Sequence, residues 1–366
     1  MKDTKLELKD SLKRIELISG TSSDAYRFLL EDKNLGDKIA LLTLGGSKAY
    51  GTNLPDSDTD IRGIAINTSE QTFGLKNDFE QVVDVETDTT IYSLNKITKL
   101  MLSCNPNTIE IFGCRPGDYI YVNKYGRMLL DNKEHFLSVR AIDSFGGYAT
   151  AQYNRLQHGL LGNGENNDKK LEMLKHSLES DINAFNQKHK NCGISIGVNR
   201  LSTDELLKLY PDREITDENS NEHIVVNGEF DNVCITEFKT IISELHKIQS
   251  EYGNINKRNT KKTGKKLAKH MMHLIRLYMM GIDLNTSKTI KTYRDGKEHE
   301  ILMDIRLGKY MTQDGLKVRS EFYDLLKDIQ AKYEYSVVNT MLPEKPNNEA
   351  INEMLLDIYK NYYKIS

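Results

Sequence analysis

No stretch of the 366-residue chain approaches the roughly 18 consecutive apolar residues that a membrane-spanning helix requires. The first residues, Met1-Lys2-Asp3-Thr4-Lys5, are polar, and no apolar core of a secretion signal stands behind them. No membrane contact is therefore expected, and the expected location is the cytoplasm. Cysteine is scarce. Cys104, Cys114, Cys192 and Cys234 include no CxxC pair, which argues against a zinc ribbon or a dithiol redox motif and leaves free structural thiols. An excess of charge of either sign is lacking too. With 50 Lys and Arg against 53 Asp and Glu the net charge is −3, so nothing draws the whole molecule to nucleic acid or anionic lipid. Any polyanion contact must come from a local basic patch. The GxxxxGK[ST] phosphate loop is absent, which excludes a Walker site.

What is present fits a soluble globular protein: 38% hydrophobic and 28% charged residues, in a chain long enough for one large or two ordinary domains. Residues 5–35 read as helical. Ile39 to Leu44 is a nearly continuous apolar run ending in Gly45-Gly46, the pattern of a buried strand entering a glycine turn. Residues 61–66 read as a second strand, and 81–92, rich in Val and Thr, as one or two more. From Ser93, a helix cap, the apolar period lengthens to helical spacing. Beyond residue 125 the pattern is mainly helical, over 134–160, 168–190, 202–210, 235–252, 262–281, 316–340 and 348–363. Strand pairs are expected around Asn227-Gly228 and Asp295-Gly296, dipeptides that favour tight hairpin turns. The expected fold class is α/β (α+β): a small mixed-sheet domain over 1–125, then a mainly helical region over 126–366 with an irregular middle at 160–235.

The chemistry concentrates between Gly45 and Gly63. Asp58 and Asp60 stand two apart at the entry to a strand, so both carboxylates share one face. Such a pair repels unless a cation sits between, and oxygen-only ligands favour Mg²⁺ or Mn²⁺ shared with water and substrate phosphates. Gly46 and Ser47 follow a buried strand, where backbone amides and the hydroxyl can approach a phosphate; a helix starting at Ser47 would add to that. Asp56-x-Asp58-x-Asp60 also resembles half of an EF-hand loop. That loop needs Gly at its sixth position and Glu at its twelfth, where this chain has Ile61 and Asn67.

These residues together resemble a family. The order strand, Gly-Gly-Ser, Gly-Thr, Ser-Asp-x-Asp is similar to the signature of the DNA polymerase β-like nucleotidyltransferase superfamily. More narrowly, GSxAYGTxxPDSDxDxRG resembles a group of predicted nucleotidyltransferases of bacteria and phages. The likeness continues at Asp88–Leu94, Asn105–Glu110, Lys266–Leu277 and Ile305–Tyr310. It implies that Gly46 and Ser47 bind the triphosphate of an NTP (ATP foremost) and that Asp58 and Asp60 hold the metal. It also implies a third carboxylate on a neighbouring strand. Asp84, Glu86 and Asp88 share one parity, and the resemblance points to Asp88, which would serve as both ligand and proton acceptor. Two-metal phosphoryl transfer to a hydroxyl of RNA or protein is then implied, with release of pyrophosphate.

One basic segment remains. In a helix, Lys262, Lys266, Lys269, His273 and Arg276 form one polar stripe, opposite Leu267, Met271, Leu274 and Tyr278. Lys269, His273 and Arg276 are then candidates to face the cleft and neutralise phosphate. Arg62 stands close enough to the acids to pair with Asp56 or a phosphate. The rival reading is an inactive nucleotide-binding or antitoxin-like module on the same fold, whose mark would be a damaged acid pair.

Overall fold

The computed structural model describes residues 2–75, 79–161, 167–190, 193–200, 222–227, 234–258 and 264–364. They fall into two compact units, residues 1–157 with 263–366 and residues 158–262. This differs from a single boundary near residue 125. The C-terminal helices return to the N-terminal sheet unit, to which they are tied by backbone bonds. Val139 N donates to Pro343 O (2.9 Å) and Asn347 N to His135 O (2.9 Å).

In the first unit α1 (Lys2–Ser19) lays Leu8, Leu12 and Ile15 against a five-stranded mixed sheet. The expected helix over 5–35 stops there: Gly20, at φ 71°, turns the chain away. The strands are β1 (Ile39–Leu44), β2 (Ile61–Ala65), β3 (Gln81–Asp84), β4 (Thr89–Ser93) and β5 (Tyr119–Val122), in spatial order β3-β4-β2-β1-β5. β1 is buried along its whole length, as its unbroken apolar run requires, and pairs antiparallel with β2 and β5. β2 runs parallel to β4, with Ile61 opposite Thr89 and Arg62 opposite Thr90. β3 and β4 form a hairpin closed by the turn at 85–88. Asp84, Glu86 and Asp88 therefore do not share one strand face; the shared parity is broken by the turn.

Between and beyond these strands stand α2 (Gly46–Tyr50), α3 (Leu94–Leu102, capped by Ser93 Oγ), α4 (Lys124–Asp131) and α5 (Arg140–Leu161), with α6 (Asn167–Lys188) in the second unit. In that second unit β6 (Ser195–Arg200) pairs antiparallel with β7 (Glu222–Asn227), and α7 (Ile235–Arg258) packs on α6 through Ile182, Phe185, Ile241 and Ile248. The strand expected before Gly228 thus pairs with β6, from upstream; Gly228, the strand expected after it and the expected helix at 202–210 lie outside the described residues.

The chain re-enters the first unit with α8 (Gly264–Ser287), followed by α9 (Gly296–Arg306), α10 (Ser320–Val338) and α11 (Asn348–Tyr363). Leu267, Met271 and Leu274 are buried along α8, as its periodicity requires. The hairpin expected at Asp295-Gly296 is not formed. Asp295 takes the N-cap position of α9, without a side-chain capping bond, and Gly296, at φ 54°, opens the helix. A Gly after Asp fits a helix start as well as a turn, and the flanking residues supply no strand pair. No helix among the described residues is long and apolar enough to cross a membrane.

Candidate active site

A cavity of about 470 Å³ opens where α2, the loop into β2, the start of β4 and the first turns of α8 converge. Gly46, Ser47, Asp58, Asp60, Asp88, Lys269 and His273 all line it.

The glycine turn is dictated by its contacts. Gly46 sits at φ 53°, and a Cβ there would stand 1.9 Å from Asp60 Oδ2. Only glycine permits that approach. Gly45 N donates to Asp60 O (2.8 Å), which extends the β1–β2 ladder by one step and sets Asp60 beside the turn. Tyr50, at the other end of α2, is anchored by its phenol, which hydrogen-bonds to both Glu110 oxygens (2.9 Å each). Beyond it Gly51, in the left-handed region at φ 76°, packs on the Tyr293 ring, and its carbonyl is bonded to His299 Nε2 (2.8 Å).

Asp60 and Asp88 meet over one guanidinium. Arg62 Nη2 donates to Asp60 Oδ1 (2.9 Å) and to Asp88 Oδ1 (3.3 Å), and Nη1 donates to Asp88 O (2.6 Å). Asp88 itself closes the hairpin turn at φ 46°, and its carbonyl also accepts from Ile61 N (3.2 Å). Burial pushes the Asp60 carboxyl up to about 6; Arg62 opposes this, and the Asp88 charge and hydrogen bond add to it. Asp58 is exposed at the rim. Asp84 is occupied in the turn, accepting from Thr87 N (2.8 Å) and Thr87 Oγ1 (2.7 Å), while Glu86 is exposed; neither lines the cavity.

These carboxylates suit a divalent cation. Burial disfavours the ionised Asp60 carboxyl and the neighbouring Asp88 charge adds to this, a cost that a cation would offset, and the donors are all oxygen. Among the described residues no three His, Cys, Asp or Glu side chains form a finished metal cage.

The opposite side is basic. Lys265 and Lys269 come from α8 and Arg306 from the end of α9. Lys265 Nζ lies 3.8 Å from Asp56 Oδ2. Arg306 has a buried Nε without a hydrogen-bond partner, and burial pulls its pKa down with only Asp56 opposing. Two expected cations differ from expectation. His273 is pushed well below the usual histidine range by burial and then by Arg276, Lys269 and Arg306, so it is a neutral imidazole and contributes no charge. Arg276 is buried away from the cavity. Its Nη1 bonds Glu110 Oε2 (3.1 Å) and its guanidinium lies 3.6 Å over the Tyr50 ring. A carboxylate and an aromatic face already engage it, while its Nε is buried without a hydrogen-bond partner among the described residues. Lys262 lies outside the described residues, and Lys266 is exposed off the cavity.

Sequence reasoning assigned no role to Tyr50, Tyr92, Asn107, Glu110 or Arg306, which also line the cavity. All of them fall inside the family-like segments, which was the available signal. Thr90 and Tyr92 share one face of β4 and line the cavity together with Asp88 from the turn before it.

Residues 10–177 match the model of RlaP, the RNA repair pathway DNA polymerase beta family. That span contains the glycine turn and all three carboxylates. The match covers less than half of the chain and supports, for that span, a DNA polymerase β-like nucleotidyltransferase superfamily. Comparison with the curated proteins and with the solved structures gave no match. A nucleotidyltransferase family implies a nucleotide substrate, and the description of the matched family names RNA repair.

Proposed function

We propose that this chain is a divalent-metal-dependent enzyme that transfers a nucleoside monophosphate, AMP foremost, from an NTP to a hydroxyl, releasing pyrophosphate. One observation carries the reading: Asp58, Asp60 and Asp88 line the same cavity as Lys265, Lys269 and Arg306, with Gly46-Ser47 lining it as well. Anionic metal ligands beside a cationic phosphate wall suit a triphosphate whose α-phosphorus reacts. An RNA hydroxyl is the favoured acceptor, because the matched family is described as an RNA repair family; a protein hydroxyl is the competing one.

Asp58, Asp60 and Asp88 would hold Mg²⁺ or Mn²⁺, which when bound neutralises phosphate charge and acidifies the acceptor hydroxyl. The acceptor oxygen forms a bond to the α-phosphorus as the bond to the β-phosphate bridging oxygen breaks. The hydroxyl proton passes to Asp88. The electron pair leaves with pyrophosphate, whose charge Lys265, Lys269 and Arg306 offset. The Gly46 and Ser47 amides and the Ser47 hydroxyl orient the phosphates, and neutral His273 can only donate or accept a hydrogen bond there. Positioning and charge stabilisation supply most of the rate.

The test is pyrophosphate release from each of the four NTPs with Mg²⁺ or Mn²⁺, in the presence of bulk RNA or protein extract, with labelled product read on a gel. Release should depend on metal and vanish in Asp58→Asn and Asp60→Asn while the fold persists. Retained turnover in either variant with Mg²⁺ sinks the mechanism. A second reading, an inactive nucleotide-binding module, has one observation behind it: Arg62 already pairs with Asp60 and Asp88. NTP binding that needs no metal and yields no pyrophosphate would favour it.

A further inference from the structure

We infer that a groove beside the carboxylates, along one face of α5, receives the 3′ end of a single-stranded RNA acceptor. The inference rests on the transferase reading and assigns a place to its acceptor. A second cavity, of about 620 Å³, is lined by Asn107 and by Asp143, Ser144, Gly147, Tyr148, Gln152 and Arg155. Asn107 lines both cavities, so the two adjoin at that residue. The α5 residues recur at steps of three and four and so share one face.

The chemistry of this groove fits nucleotides better than a peptide. Ala151 is the only aliphatic side chain among the described residues that line it, so it offers no pocket for a hydrophobic anchor. It offers instead an aromatic ring and polar edges. Tyr148 is fixed by a bond from Asn105 Nδ2 to its phenol oxygen (2.9 Å), which orients the ring. Tyr92, on β4, lines the same cavity as Asp88 and Asn107. A terminal base on Tyr92 and the next on Tyr148 would bring the 3′-hydroxyl towards Asp88. Gln152 turns its Oε1 to His270 Nδ1 (3.1 Å), leaving its amide NH₂ for a base edge or ribose. Arg155, farther along the same face, suits a backbone phosphate.

Gly147 is a second, independent observation. A glycine inside a helix weakens it relative to alanine, and no close packing among the described residues requires this one, since a Cβ there would meet no atom within 4 Å. Its absent side chain keeps the groove open beside Tyr148. The same position supplies a variant that blocks the groove without disturbing the packing.

The experiment uses the full chain and a 5′-fluorescein-labelled single-stranded RNA with a free 3′-hydroxyl, read by anisotropy, with a fluorescent ATP analogue as the second ligand. Gly147→Leu and Tyr148→Ala should each weaken RNA binding about tenfold or more and leave analogue binding unchanged; Tyr148→Phe should keep wild-type affinity. Unchanged RNA affinity in Gly147→Leu overturns the assignment. So does a wild-type protein that binds no RNA, or loss of both ligands together in Gly147→Leu. The two readings fail separately. RNA binding that depends on Gly147 but comes with no pyrophosphate release keeps the groove and removes the transferase. Transfer to protein with no labelled RNA does the reverse.

Discussion

Asp60→Asn should make the metal-free protein more stable at neutral pH while abolishing transfer. Burial holds the Asp60 carboxyl near 6, against an ordinary 3.8. Each pH unit of that gap is worth about 1.4 kcal/mol, so the ionised form costs the native state about 3 kcal/mol at pH 8. The sign follows from the raised value. Below 3.8 the acid is protonated in both folded and unfolded chains and there is no cost. The cost builds as pH rises towards 6 and is complete above it. Asparagine carries no charge, and its Oδ1 can still accept from Arg62, so most of the 3 kcal/mol should be recovered, about 2 kcal/mol net. For a unit of this size that is a rise in Tm of about 4–8 °C.

Thermal unfolding in EDTA, followed by circular dichroism from pH 4 to pH 8, reads this directly. The wild-type and variant curves should nearly coincide at pH 4, separate with a midpoint near about pH 5, and run parallel above about pH 6.5. Added Mn²⁺ should then stabilise the wild type and not the variant, because the cation binds only where the carboxylate remains. A variant equal to or less stable than wild type at pH 8 would refute the reasoning. A difference that stays constant across the range would do the same.

Gly46→Ala places a Cβ on the Asp60 carboxylate at a positive φ; it should cost about 1–3 kcal/mol in denaturant unfolding and reduce pyrophosphate release by at least about a hundredfold. Glu110→Ala leaves Arg276 charged and buried, so urea unfolding should show a loss of about 3–5 kcal/mol, whereas Tyr50→Phe, which removes only the phenol hydroxyl from that carboxylate, should lose about 1–2 kcal/mol. Arg306→Met removes a cation whose buried Nε has no hydrogen-bond partner among the described residues. Steady-state pyrophosphate release should show a KM for NTP raised about tenfold or more without lowering Tm, and an unchanged KM would take Arg306 out of the phosphate site.

The parts of the fold legible in the sequence are those where local pattern and tertiary demand agree. β1 was readable because a strand buried on both faces must be apolar throughout, and α8 because Leu267, Met271 and Leu274 repeat at helical spacing. Where local chemistry serves two structures, the reading failed. Asp-Gly suits a hairpin and equally a helix start, and at 295–296 the tertiary context chose the helix. The parity of Asp84, Glu86 and Asp88 was a sound argument for one regular strand; the chain turns at 85–88 instead, and Asp84 supplies the oxygen that closes that turn.

The same division runs through the site. Gly46, Asp58 and Asp60 were legible because adjacency along the chain is adjacency in space for a turn and a strand entry. Arg276 was misread for the opposite reason. Its partners Tyr50 and Glu110 lie far away in sequence, and no periodicity along α8 can reveal that a carboxylate from elsewhere has claimed it. His273 is explained by the same surroundings. Burial first, then the nearby Arg276, Lys269 and Arg306, hold it neutral, although a helical stripe beginning with lysines suggests a cation. The cationic wall falls instead to Lys265, Lys269 and Arg306, the last from a different helix. A charge can be counted from sequence, but whether it is free to meet a ligand depends on which distant side chain reaches it first.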